Sequence, residues 1–99
     1  MRESQVETYL VEQVKALGGE VRKVRWIGRN GAPDRLVMLP GDFGRFGEDS
    51  APGRTLWVEL KAPGEKAKPH QQREHDRMRR MGQVVVVVDS FEAVDRVLA

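Results

Sequence analysis

The chain has no cysteine among its 99 residues. A disulfide framework and a thiolate metal centre are both excluded, so any bound metal has to be held by oxygen or imidazole ligands. Long apolar runs are missing as well. The opening residues, Met1-Arg2-Glu3-Ser4-Gln5, contain no stretch of signal-peptide length, and nothing further along approaches a membrane span. A soluble, intracellular protein without a membrane partner is expected. There is no internal repeat and no low-complexity segment. With 39% hydrophobic residues the chain can build one modest core, and residues 1–99 read as a single domain.

Charge of one sign is also scarce overall, with a net of +2, but its distribution is uneven. Residues 21–40 carry five Arg/Lys against one Asp, and residues 61–80 carry seven against three, while the remaining segments are each slightly acidic. Taken alone, such runs describe an ordinary solvated surface. Beside a carboxylate site they describe a surface for a polyanion.

The apolar periodicity gives the elements. Val6, Leu10, Val14 and Leu17 recur at spacings of three and four, which predicts a helix over 3–17, stopped by Gly18-Gly19. Glu7 falls inside the apolar arc of that helix, between Val14 and Val11 on the wheel. It is either a carboxylate at the stripe's edge that reaches solvent or an arginine, or a group turned toward a site. Glu3 lies close by on the wheel, but in the first turn, where the helix dipole accounts for it. Residues 20–27 contain enough Val, Trp and Ile for a first strand. The turn-rich Gly28-Arg29-Asn30-Gly31-Ala32-Pro33 follows, then a second strand over 34–39 and a long connection over 40–54. Phe43 and Phe46 in that connection either fold it back on the domain or wedge against a nucleic acid or a partner subunit.

Pro69 suits a first helical position, and a helix is expected to run to Met81 before Gly82. Its inner stripe reads Gln71, Glu74, Met78 and Met81, and a second stripe reads Arg73, Arg77 and Arg80. Gln71 is either a partly exposed helix-start glutamine or an amide turned to the rim of the sheet. His70 and His75 are five apart, which is not the spacing of a helical zinc pair, and both are expected at the surface or facing DNA. Val84 to Val88 suits a strand buried on both faces, in the middle of a sheet or beside the core. Asp89 or Ser90 then caps a last helix that packs through Ala93, Val94, Val97 and Leu98. The order is α-β-β-β-α-β-α.

Trp57-Val58-Glu59-Leu60-Lys61 is the stretch around which the rest is arranged. On a strand of period two, Glu59 and Lys61 share one face while Val58 and Leu60 take the other. Ala62-Pro63-Gly64 ends the strand, so the pair sits at its end. Asp34 opens the apolar run Leu36-Val37-Met38-Leu39 directly after Pro33, and pairing of the two strands would let it reach the Glu59 face. A Glu-x-Lys alone is also an ordinary cross-strand charge pair. Two carboxylates and a lysine at the rim of a sheet supply what metal-assisted phosphodiester hydrolysis needs.

With the Pro33-Asp34 and Glu59-x-Lys61 motifs in this order, the chain resembles the PD-(D/E)xK nuclease superfamily and, over essentially its whole length, the small standalone viral and bacterial members of its VRR-NUC branch. The resemblance implies a restriction-endonuclease-like α/β core, a mixed sheet flanked by helices. It matches the family's first-helix glutamate to Glu7, its Pro-Asp aspartate to Asp34, its Glu-x-Lys to Glu59 and Lys61, and its auxiliary glutamine to Gln71. Glu7, Asp34, Glu59 and the Leu60 carbonyl are then the expected ligands of Mg²⁺ or Mn²⁺, with Lys61 orienting the water or neutralising charge on the phosphate and Gln71 positioning Lys61 or the phosphate. The chain is similar too to archaeal Holliday-junction resolvases, which implies a homodimer cutting branched or four-way DNA in the cytoplasm of a bacterium or a virus-infected host cell. Arg25, Arg29, Lys66, Lys68, Arg73, Arg77 and Arg80 are the expected DNA-binding residues. The alternative is a nucleic-acid-binding module of the same fold with little or no catalysis, or an interaction domain in which Glu59 and Lys61 are only structural.

Overall fold

The computed structural model describes residues 1–41 and 52–99. Phe43 and Phe46, and most of the expected 40–54 connection, lie outside the described residues. The elements follow in the order α1 (Glu3–Ala16), β1 (Glu20–Lys23), β2 (Arg35–Leu39), β3 (Arg54–Leu60), α2 (Pro69–Arg80), β4 (Val85–Val88) and α3 (Phe91–Leu98). The strands form one sheet ordered β1-β2-β3-β4. β1 and β2 pair antiparallel, as do β2 and β3, whereas β4 runs parallel to β3. This is the mixed α/β arrangement expected of a restriction-endonuclease-like core. Among the described residues, no helix is long and apolar enough to cross a membrane.

The two faces of the sheet are used differently. Leu56, Val58 and Leu60 of β3 turn to a core shared with Val6, Leu10 and Val14 of α1 and with Ala93, Val94 and Leu98 of α3. Fully burying an aliphatic side chain of this kind is worth about 1.5–3 kcal/mol, which makes this face the main source of stability. α1 and α3 are fastened to each other by Tyr9, which stacks on Phe91 and donates from its hydroxyl to Asp95 at 2.7 Å. Ser90, one of the two expected caps, accepts from the Ala93 amide at 3.0 Å and starts α3. The alternating residues Trp57 and Glu59 face the other way, toward α2, whose buried side chains are Glu74, His75 and Met78.

Four expectations need correction. α1 stops at Ala16, so Leu17 falls at the C-cap and is exposed. β1 covers only 20–23, and its last pairing contact is the Val24 amide on the Asp34 carbonyl. The next partner is Pro33, which has no N–H to offer, so Arg25, Trp26 and Ile27 leave the sheet and Ile27 is 93% exposed. Met81 is the C-cap of α2 and 79% exposed, not part of its packing stripe. Of the two places expected for the valine run, the middle of the sheet is not the one found: it forms an edge strand beside the core in the described sheet, with Val84 outside it and exposed. An apolar run is tolerated there because α2 covers one face and α3 the other, and the Arg79 guanidinium closes on the Val85 carbonyl at 2.8 Å.

Candidate active site

Strand register brings Asp34 and Glu59 together. The β2–β3 ladder pairs Arg35 with Val58, and one further step along it sets Asp34 across from Glu59. Directly opposed side chains on such a ladder have Cβ atoms about 5 Å apart. Both residues belong to the face that α2 covers, with Trp57 before Glu59 and Lys61 after it. The Lys61 amide donates to the Val88 carbonyl at 2.9 Å, so the backbone is held by β4 past the last residue of β3.

The loop that delivers Asp34 is fastened on two sides. The Trp26 indole N–H donates to the Pro33 carbonyl at 2.8 Å. Gly31 has φ +84° and lies against the start of α2, where a Cβ would come within 2.9 Å of the His70 carbonyl oxygen. Glycine alone meets both conditions. The motif residues at 31–34 are thus tied to the helix that covers Glu59.

Glu59 is a buried carboxylate whose polar neighbour is Nε2 of His75, at 3.5 Å. Burial pushes its pKa from 4.5 up to about 7, with the Lys61 ammonium opposing the rise and the negative charges of Asp34 and Glu3 adding to it. His75 is not at the surface, as the sequence reading expects, but 1% exposed between α2 and β3. Burial draws its pKa down, and the charge on Arg79 acts in the same direction, so the imidazole is neutral. Its Nε2 has no hydrogen-bond partner among the described residues. Helical spacing could have identified it, since it stands four residues after Gln71 and three before Met78, on the stripe that packs.

Glu7 meets an arginine, as the edge-of-stripe reading has it, and that same side chain joins it to Asp34. Nη2 of Arg35 donates to Oε2 of Glu7, and Nη1 of Arg35 lies 3.0 Å from Oδ1 of Asp34. Lys23 is 3.9 Å from the other Glu7 oxygen. The Arg35 side chain is only 13% exposed. Sequence reasoning passed over Arg35, although a charged residue opening an apolar strand on its core side was there to be seen. It also set aside Glu3, the first-helix carboxylate whose charge is felt at Glu59. Gln71 accepts from the Lys68 backbone amide at 2.9 Å, so its oxygen serves the start of α2.

Arg25, Lys66, Lys68, Arg73 and Arg80 are all exposed. Arg29 and Arg77 are exposed too, but converge on the buried Glu74, at 3.6 and 3.0 Å. Among the described residues, no three acidic or imidazole side chains form a ready cation cage.

No protein-family model matches the chain. It is 43% identical over 90 residues, 91% of this chain and 85% of the relative, to a protein described as "Putative nuclease p44" of Acyrthosiphon pisum secondary endosymbiont phage 1. A solved structure described as a VRR_NUC domain is 44% identical and superposes with a TM-score of 0.77, over 97% of this chain and 92% of that one. The chain belongs to the VRR-NUC nucleases. In this VRR-NUC nuclease the Pro-Asp and Glu-x-Lys motifs meet through the β2–β3 ladder, while the helix glutamate Glu7 is reached only through Arg35.

Proposed function

We propose that this VRR-NUC nuclease is a Mg²⁺- or Mn²⁺-dependent endonuclease that hydrolyses phosphodiester bonds of branched DNA. The observation that carries the reading is the juxtaposition of Asp34 and Glu59 at the end of β3, with Lys61 beside them. The donors fit a hard cation. They are oxygens only, and Glu59 is a buried carboxylate left with an elevated pKa, the condition that a bound cation relieves. Mg²⁺ keeps several waters and asks for only one or two carboxylates, so a three-residue cage is not required. Asp34, Glu59 and the Leu60 carbonyl would hold the ion, with Glu7 acting through Arg35 or turning in when Arg35 moves. When bound, such an ion lowers the pKa of water and polarises a phosphoryl oxygen.

The chain's own residues account for the remainder. Lys61, a cation and therefore no ligand, neutralises charge growing on the phosphate and orients the attacking water. Gln71 keeps its amide N–H groups for the phosphate while its oxygen caps α2. Arg25, Lys66, Lys68, Arg73 and Arg80 follow the DNA backbone and read no base. A binding module without catalysis is the weaker reading, because a buried carboxylate costs stability that binding alone gives no reason to retain.

The preference for four-way junctions rests on a homodimer with two sites of opposite polarity. One argument for that dimer does not hold: Val94 and Leu98 are buried within the chain and Val97 packs against the same core, so α3 offers no spare apolar face. Exposed apolar residues lie instead at Ile27, Met81 and Val84.

One experiment tests the reading. Nicking of supercoiled, flapped and four-way DNA is followed with and without Mg²⁺, for the wild type, Asp34→Asn and Lys61→Ala, together with the melting temperature. Mg²⁺ should raise the wild-type melting temperature by mass action and Asp34→Asn should abolish both that rise and cleavage. Lys61→Ala should bind DNA and metal almost normally and turn over about a hundredfold more slowly. Cleavage that persists in Asp34→Asn would sink the assignment, and equal nicking of linear duplex and junction would remove the preference for branches.

A further inference from the structure

Beside the acidic pair lies a groove that phosphodiester hydrolysis does not itself require. The chain's two tryptophans, Trp26 and Trp57, meet there with ring centroids 5.2 Å apart and planes 49° from parallel. With Met78 and Met81 they wall a space of about 340 Å³, rimmed by Arg29 and Arg77. That is the lower end of the usual range for small-ligand clefts, about 300–1,000 Å³. Each indole N–H is already engaged, Trp26 on the Pro33 carbonyl and Trp57 on Oε1 of Gln83 at 3.0 Å, so both rings are fixed in orientation. Glu74, buried below the rim, holds the two guanidinium groups in place.

Position and charge indicate the occupant. Trp57 and Glu59 point from one face of β3 two residues apart, about 7 Å along the strand, within the span of a single nucleotide. The groove is apolar and flat-walled inside and cationic at its rim. That combination is complementary to an aromatic ring carried on a phosphodiester chain.

We propose that this groove is a nucleobase subsite, which takes one unstacked base from a single-stranded or frayed stretch while the neighbouring phosphate lies over Asp34 and Glu59. The base stacks against the tryptophan and methionine wall, and Arg29 and Arg77 meet its phosphates. Stacking of this kind tolerates any base, so it selects for local unpairing and not for sequence. The inference rests on the nuclease reading for the location of the scissile phosphate.

The test uses the whole protein without divalent metal, so that nothing is cut. A short single-stranded oligonucleotide and the same backbone with abasic sites are titrated against it, and tryptophan fluorescence is followed, since both tryptophans line the groove. The oligonucleotide bearing bases should quench the fluorescence and bind about tenfold more tightly, the scale of one stacking contact. Trp26→Leu should lose most of that difference. Because Trp26 also holds Pro33, Met81→Ala serves as a second variant at an exposed position and should reduce the difference in part. Equal affinity for the two oligonucleotides in the wild type, or no binding of either, would overturn the proposal. So would a wild type that sediments as a dimer and becomes monomeric on Met81→Glu, which would assign the groove to a second copy of the chain. Metal-dependent nicking that survives equal affinity would show the nuclease reading intact and this one wrong, whereas base-dependent quenching without any nicking would show the converse.

Discussion

Nε2 of His75 lies 3.5 Å from Oε1 of Glu59, inside the layer between α2 and β3. A neutral imidazole there supplies no full positive charge to offset the buried carboxylate. Burial in that layer, with the negative charges of Asp34 and Glu3 adding to it, raises the Glu59 pKa to about 7, and the neutral imidazole beside it does nothing to lower it.

The folded chain keeps a proton on Glu59 that the unfolded chain releases near 4.5, so stability is lost as pH rises from there through about 7. In metal-free buffer, Glu59→Gln should gain on the wild type between about pH 5 and about pH 8. Thermal melts of both proteins at the two pH values check this. A gap that does not change with pH would mean that Glu59 ionises in the fold as it does in water.

Arg35 is expected to do the work of a cation between Glu7 and Asp34. Its replacement by methionine keeps the stem and removes the charge, leaving two carboxylates near each other. The loss should be about 2 kcal/mol by denaturant unfolding, the scale of a hydrogen bond to a charged group. Mg²⁺ should restore more of the melting temperature in Arg35→Met than it adds to the wild type. A smaller effect of Mg²⁺ in the variant would show that the ion and the guanidinium do not address the same charges.

The parts that read well from sequence are those fixed by local chemistry. Glycine and proline marked the ends of α1, β2 and α2, and period-two alternation correctly turned Glu59 away from Val58 and Leu60. The Pro-Asp and Glu-x-Lys motifs are short, but each follows a turn signal and lies at the boundary of an apolar run, so their strands could be placed and paired. What could not be read depends on the third dimension. His75 stands at helical spacing from Gln71 and Met78 on the inner stripe of α2, but a histidine there is equally an edge residue, and only the seating of the helix on the sheet puts it against Glu59. Glu3 and Glu7 are one turn apart, and only the crossing of α1 over the sheet decides that one is felt at Glu59 while the other meets Arg35. The valine run could be placed either in the middle of the sheet or beside the core, because its apolarity reports two covered faces, and covered faces are compatible with an edge.

The parallel pairing of β3 with β4 bears on how the chain folds. Antiparallel neighbours can pair across a simple turn, but a parallel strand can join only after the chain has passed through the whole of α2. Contacts between residues distant in sequence form late, because loop closure is costly before they reward it. Amide protection in β4 should therefore lag behind that in β1 and β2 when refolding is followed by pulsed hydrogen exchange, and simultaneous protection would contradict this order. If that order holds, α2 is seated over Glu59 only when the last ladder closes, and before then the carboxylate ionises as it does on an unfolded chain. In that order the environment that raises the Glu59 pKa is completed last, and a half-made molecule carries every acidic residue of the candidate site without it.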